Sequence, residues 1–127
     1  MLAATSIGMS LEITDARLRR LYDYWNAMRG ERAMPLRRDI NPVDIPDLLG
    51  FVNIFEVQEG PRDFKVRLNG SEVAEMLGRD ITGKYCSTVI SGPDAVRCKM
   101  AFDICVDRCS PAIVETSLAF CDKPYIA

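Results

Sequence analysis

The segment Asn69-Gly70-Ser71-Glu72-Val73-Ala74-Glu75-Met76-Leu77-Gly78-Arg79-Asp80-Ile81-Thr82-Gly83-Lys84 carries the densest run of structural signals in the chain. Its first half predicts a short helix over Ser71–Leu77: Ser71 supplies an N-cap oxygen, Glu72 sits in the positively polarised first turn, and Gly78 stops the helix. Val73, Met76 and Leu77 fall on one edge of that helix, which must therefore face a core. Beyond it, Asp80–Thr88 is irregular, with Gly83 permitting a tight bend.

Upstream, Phe51–Gln58 is rich in β-branched and aromatic residues and reads as a strand. Its imperfect alternation suits a strand covered on both faces. Glu59-Gly60-Pro61-Arg62-Asp63 forms the turn. In the next strand Phe64, Val66 and Leu68 share one face, and Lys65, Arg67 and Asn69 the other. The two strands make a hairpin with one buried face.

Further upstream, Thr14 or Asp15 caps a helix whose Leu18, Leu21, Tyr22, Trp25 and Met28 form an apolar stripe. Arg19, Arg20, Asp23 and Asn26 take its other face, and Gly30 ends it. Between that helix and the hairpin, Pro35, Pro42 and Pro46 alternate with Asp39, Asn41, Asp44 and Asp47, as in a connector of short turns. Asn41-Pro42 and Ile45-Pro46 can each open one helical turn, and Leu48 and Leu49 anchor the connector. Downstream, Gly92-Pro93 opens a longer helix reaching about Cys109, with Ala95, Cys98, Phe102, Cys105, Val106 and Cys109 on one face. After Ser110-Pro111, Ala112–Phe120 reads as a strand placing Val114, Thr116, Leu118 and Phe120 on one side. Tyr125-Ile126-Ala127 begins another.

Helix, connector, hairpin, short helix, long helix and strands resemble the order of a PAS domain. The resemblance is sharpened by the "LG" that closes the helix at Leu77-Gly78 and the "GK" at Gly83-Lys84. Leu21-Tyr22-Asp23-Tyr24-Trp25, Arg38-Asp39-Ile40, Pro42-Val43-Asp44-Ile45-Pro46 and Leu48-Leu49 resemble an alphaproteobacterial stand-alone PAS subfamily. Its members carry a leading helix and a "DIxPxDIP" connector. The resemblance covers about residues 18–127. It implies an α+β fold, a PAS-like antiparallel sheet of five strands flanked by helices, with the last two strands incomplete or missing here. The implied organisation is a flexible lead-in over 1–12, a leading helix and Pro-rich connector over 13–50, and a PAS core over 51–127, truncated at its C-terminus.

Composition bounds what such a chain does. It has 127 residues, 48% of them hydrophobic, enough for one domain with a core. Sixteen basic and eighteen acidic residues leave a formal charge of −2, against broad binding to nucleic acid. The adjacent pairs Arg19-Arg20 and Arg37-Arg38 read as solvated faces. No apolar run has the length of a membrane span and Met1–Ser10 lacks the pattern of a signal peptide, so the expected location is the cytoplasm. Cys86, Cys98, Cys105, Cys109 and Cys121 are expected to be reduced thiols. Histidine is absent, which removes Ser-His-Asp and Cys-His catalysis, His-ligated haem and mixed Cys/His zinc sites. Cys98 and Cys105 lie seven residues apart, about 10 Å along a helix, too far to share one ion. Only the Cys105/Cys109 pair is suitably spaced; buried apolar thiols are the preferred reading, and no metal site is expected.

In PAS domains the long helix, the inner sheet face and the short helices enclose a pocket. The corresponding residues here are Val66, Leu68, Met76, Leu77, Tyr85, Cys98, Phe102, Cys105, Val114 and Leu118. Plain core filling is the preferred reading of the same residues, because close packing is the default state of interiors. The cofactor is unknown: the flavin-adduct Asn-Cys-Arg-Phe type of motif is missing. Leu18, Leu21, Tyr22 and Trp25 on the leading helix are either core plugs or a dimer contact. Partners are expected to be a second copy, through that helix or an open sheet edge, and a signalling protein, with no nucleic acid and no membrane. Asp39, Asp44 and Arg67 are expected to make connector-to-sheet hydrogen bonds; no catalytic residue is assigned. The implied function is a signal-sensing or regulatory module that binds a small ligand or a protein. The alternative is a ligand-free dimerisation or interaction module.

Overall fold

Proline, glycine and short polar side chains divide this chain into brief elements. The computed structural model describes residues 3–4 and 13–113. Helix α1 (Ala16–Arg29) starts at Asp15, whose carboxylate accepts the amides of Arg17 at 2.9 Å and Leu18 at 3.1 Å. Two of the four amides that a helix start leaves without intrahelical partners are thereby satisfied, so Asp15 and not Thr14 is the cap. Gly30, with φ of 60°, ends it in a conformation that favours glycine.

The connector folds into consecutive tight turns. Arg37–Asp39 is a 3₁₀ turn whose Asp39 carboxylate accepts the Leu36 amide at 2.8 Å. Pro42–Asp44 is another, capped by Asn41, whose side-chain oxygen accepts the Val43 amide at 3.1 Å. Ile45-Pro46 does not open a helical turn. Leu48 instead donates its amide to Ile45 O at 3.0 Å, closing a turn around Pro46 and Asp47. That turn buries both Ile45 (1% exposed) and Leu48 (3%). The next 3₁₀ turn is Leu49–Phe51, which displaces the start of the following strand from Phe51 to Ile54.

Strands β2 (Ile54–Gln58) and β3 (Asp63–Leu68) form an antiparallel hairpin. Phe64 and Val66 are buried and Leu68 half-buried, while Arg67 is exposed, the predicted facing. The uneven alternation of β2 has a local cause: its register shifts between Ile54 and Phe55. Glu56 and Val57 are exposed, so β2 is not covered on both faces. Helix α2 (Ser71–Leu77) follows, with Val73, Met76 and Leu77 half-buried. The segment after it pairs with β3: the Val66 amide donates to Lys84 O at 2.9 Å and the Gly83 amide to Val66 O at 2.7 Å. Gly83, with φ of +84°, makes the bend this pairing needs. Within the stretch read as irregular, Cys86–Val89 closes one turn, α3.

Helix α4 (Gly92–Arg108) ends one residue before Cys109, which is exposed with φ of 49° and so leaves the helical face assigned to it. Ala112–Ile113 (β4) pairs in parallel with Ala3–Ala4 (β1). The remainder of the predicted Ala112–Phe120 strand, and Tyr125–Ala127, lie outside the described residues.

By its contacts the chain forms two compact units. One is Leu49–Lys99; the other joins the described residues through Leu48 to those from Met100 on. In the first, Phe64, Val66 and Ile81 are buried; in the second, Ile45, Leu48, Ala101, Phe102 and Ala112. The described residues form an α+β architecture, with a small antiparallel sheet and several helices, consistent with a PAS-like fold. Among the described residues, no helix is long and apolar enough to cross a membrane.

Candidate functional site

In the second unit, the polar face of α1 is bound to the connector. The Arg20 guanidinium grips Asp47 with two nitrogens, Nε to Oδ2 at 2.7 Å and Nη2 to Oδ1 at 2.8 Å, and Nη2 also reaches Asp44 O at 3.2 Å. Such forked pairing holds orientation as well as charge. One turn along α1, the Tyr24 hydroxyl accepts the Asn41 amide at 2.9 Å and donates to Asp44 Oδ2 at 2.9 Å. Arg32, just past the helix, reaches Asp39 Oδ2 at 2.6 Å. Asp39 and Asp44 therefore bond to the leading helix and its exit, not to the sheet as expected from sequence. Arg67 pairs with Glu56 inside the hairpin.

These contacts tune the acids involved. The Arg20 hydrogen bond holds Asp47 below the usual carboxylate range. The Leu36 amide, followed by Arg32, does the same for Asp39. Partial burial, with Asp44 and Asp39 nearby, pushes the Tyr24 phenol up against the opposing Asn41 amide.

Beyond the clamped edge, α1 presents Leu18, Tyr22 and Trp25. Tyr22 and Trp25 stack with centroids 6.2 Å apart and planes 19° from parallel. The Arg29 guanidinium lies 5.9 Å from the Trp25 ring centre, a cation–π contact. No residue of α1 is buried; Leu18, Leu21, Tyr22 and Trp25 are each half-buried.

In the first unit the inner hairpin face meets α3. Asp63, the first residue of β3, accepts the Ser87 hydroxyl, the Ser87 amide at 3.3 Å and its neighbour Phe64's amide at 2.8 Å. Burial pushes its carboxyl up, but these donors, with Lys99, hold it below its ordinary value. Beside it the thiol of Cys86 is pushed up to about 12, first by burial and then by the charges of Asp63 and Cys98. A thiol so disposed is a packing group, not a nucleophile. Tyr85 bridges to Lys65 on β3, and the Lys65 ammonium stands 5.8 Å from the Tyr85 ring centre.

Of the pocket residues expected from sequence, Val66, Leu68, Met76, Leu77, Tyr85 and Cys98 belong to the first unit, with Val66 buried and the rest half-buried. Phe102, buried, and Cys105, half-buried, belong to the second. Val114 and Leu118 lie outside the described residues. Cys86, Asp63 and Ile81 were not among the expected residues, yet Cys86 and Asp63 meet at the hairpin's end and Ile81 is buried. The only advance signal was Ile81's lone apolar character between Asp80 and Thr82; nothing in the sequence couples Asp63 to a residue 24 positions away. Among the described residues no group of three His, Cys, Asp or Glu is placed to hold a metal ion.

Comparison with curated proteins and with solved structures gives no match. A sequence profile of the PAS domain does match, over residues 13–123. It takes in the capped leading helix, the turn-rich connector, the hairpin, the short helices and the long helix, which is nearly the whole chain. By that match, and by an α+β architecture that agrees with it, the chain belongs to the PAS domain family.

Proposed function

We propose that this chain is a regulatory PAS module that binds a small ligand on the inner hairpin face and acts on a separate protein. The observation that carries the reading is the family match, which runs unbroken from the leading helix into the core. PAS membership supports a signal-sensing or interaction role generally. The finer reading is of the alphaproteobacterial subfamily, which rests on the connector residues Asp39-Ile40, Pro42, Asp44-Ile45-Pro46; that the module is non-enzymatic and cytoplasmic belongs to the same proposal. Pocket residues in this reading are Val66, Leu68, Met76, Leu77, Tyr85 and Cys98, all of the first unit. The module pairs with a second copy through Leu18, Leu21, Tyr22 and Trp25, or through an edge of the sheet. The half-buried aromatic stripe of α1 supports the first of these.

Native mass spectrometry and an absorbance spectrum of the purified protein test the ligand. A retained small molecule, lost in Leu68→Trp, is the expected result. A bare chain mass, with partner binding and stability unchanged in Leu68→Trp, overturns it. Light scattering of Trp25→Ala tests the helix contact: an unchanged dimer mass removes it. The second reading is a ligand-free interaction module, favoured by the close filling around fully buried Val66.

A further inference from the structure

Strand alternation predicts Asn69 to face outward with Lys65 and Arg67, yet β3 ends at Leu68 and its pleat does not govern the next residue. Arg67 is exposed, whereas Asn69 is half-buried and its Oδ1 is shut off from solvent. That oxygen has no hydrogen-bond partner among the described residues. Buried side-chain acceptors are met in the great majority of cases, because an unmet one forfeits its hydration without return.

The neighbouring groups fix which way this amide lies. Asp80 Oδ1 accepts the Thr82 hydroxyl at 2.6 Å and the Thr82 amide at 2.9 Å, and Asn69 Nδ2 makes a longer contact to it at 3.5 Å. The Thr82 hydroxyl, then the Thr82 amide, hold the Asp80 carboxyl below the usual carboxylate range, so at neutral pH it only accepts. An ionised carboxylate attracts the NH2 end of an amide and repels its carbonyl end. Turning the Asn69 side chain over therefore does not rescue Oδ1. The adjoining backbone amide does not serve it either, because Gly70 already donates to Asn53 Oδ1 at 2.8 Å. The donor for Oδ1 has to come from a bound molecule.

We propose that Asn69 Oδ1 is a ligand-binding acceptor, and that the small molecule held by the first unit gives it a hydrogen bond from a hydroxyl or N–H group. Leu68, directly before Asn69, and Val66, Met76 and Leu77 of the same unit are buried or half-buried apolar side chains that take the rest of the molecule. The ligand class is therefore an apolar body bearing a hydrogen-bond donor. A carboxylate or phosphate group does not fit at this position, since its oxygens only accept and repel the amide carbonyl. The inference rests on the reading of the chain as a ligand-binding module, and it names that ligand's chemistry. An ordered water is the rival occupant: it satisfies the oxygen but gives the site no choice between ligands.

The test titrates the whole isotope-labelled chain with phenol and with toluene, near-isosteric probes of which only phenol carries a donor, and follows the Leu68 and Gly70 amide resonances. Comparing the ratio of toluene Kd to phenol Kd between wild type and variant cancels the probes' difference in hydrophobicity. Asn69→Leu is expected to lower that ratio about tenfold, the loss of one hydrogen bond, and to unfold at no lower urea concentration than the wild type. Asp80→Asn removes the charge that orients the amide and is expected to lower the ratio about threefold; it decides the question if Asn69→Leu does not fold. With both probes bound, an unchanged ratio overturns the inference and is the result an ordered water gives. A lower urea midpoint with an unchanged ratio assigns Asn69 a structural role, which also overturns it. So does a wild type that binds neither probe, or a molecule retained through purification that has no hydroxyl or N–H group. The ligand reading itself is decided separately, by whether native mass spectrometry finds any retained molecule.

Discussion

Arg20 and Asp47, 27 positions apart, are joined by two parallel hydrogen bonds of 2.7 and 2.8 Å, and this pair sets where the leading helix lies on its connector. Both side chains are about half exposed, so solvent and salt compete with the pair. Asp47→Asn and Arg20→Gln are each expected to lower the melting temperature slightly at low salt, and the double variant to fall by less than the sum. In about 1 M salt, where the screening length is about 3 Å, that coupling disappears. Additive losses at low salt refute a working pair.

Tyr24 is the second fastening. Tyr24→Phe removes both the acceptor of the Asn41 amide and the donor to Asp44, and is expected to cost about 1–2 kcal/mol in urea unfolding. A loss within measurement error counts against the hydroxyl's role.

Protonation acts on the same clamp from both ends of the pH scale. Asp39 and Asp47 have lowered folded-state pKa values, so their contribution is complete above the ordinary 3.8 and is lost as pH falls through the lower folded value. Tyr24 is raised, so its contribution is complete below the ordinary 10.0 and is lost as pH rises through the folded value. Hydrogen exchange of the α1 amides is expected to quicken at both extremes. In Tyr24→Phe the alkaline limb is expected to shrink.

Gly70 predicts the sharpest packing effect. It is buried and donates its amide to Asn53 Oδ1 at 2.8 Å, and a Cβ there would lie 2.3 Å from Gly50 O and 2.9 Å from Val52 O. Backbone on both sides leaves no room to give. Gly70→Ala is expected to destabilise by about 3 kcal/mol or more. Gly50→Ala meets the movable Glu72 Cγ at 3.0 Å and Ser71 Oγ at 3.2 Å, and is expected to cost about 1 kcal/mol. Equal stability of the two variants rejects the close approach.

Cys86 and Cys109 offer a chemical test. With its thiol raised to about 12 by burial, Cys86 is almost wholly protonated at pH 8, whereas Cys109 is exposed. Iodoacetamide followed by peptide mapping is expected to find Cys109 alkylated first and Cys86 only on unfolding. Early labelling of Cys86 contradicts the placement of α3 against Asp63.

Local signals were legible wherever the physics is local. The Asp15 cap, the Gly30 and Gly78 stops, the Pro42 turn and the Phe64/Val66 facing each depend on residues within a few positions. Ser71 shows the limit. It reads as an N-cap, but Gly70 takes that position because its missing side chain lets the helix start press against Gly50. The contact joins two glycines twenty residues apart, and neither announces the other. The candidate site divided in the same way: the apolar types could be named, while Asp63 with Ser87 and Cys86 is a meeting arranged by the hairpin and α3.

The amino-acid sequence determined the two longer helices, the short helix Ser71–Leu77, the hairpin, their order and the family, because capping, helical periodicity and proline geometry act over one or two turns of chain. Tertiary structure alone decided what each acid of the connector bonds to. Asp39, Asp44 and Asp47 look alike as letters, and only the folded approach of the leading helix and its exit gives Asp39 and Asp47 a guanidinium, from Arg32 and Arg20, and Asp44 the Tyr24 hydroxyl.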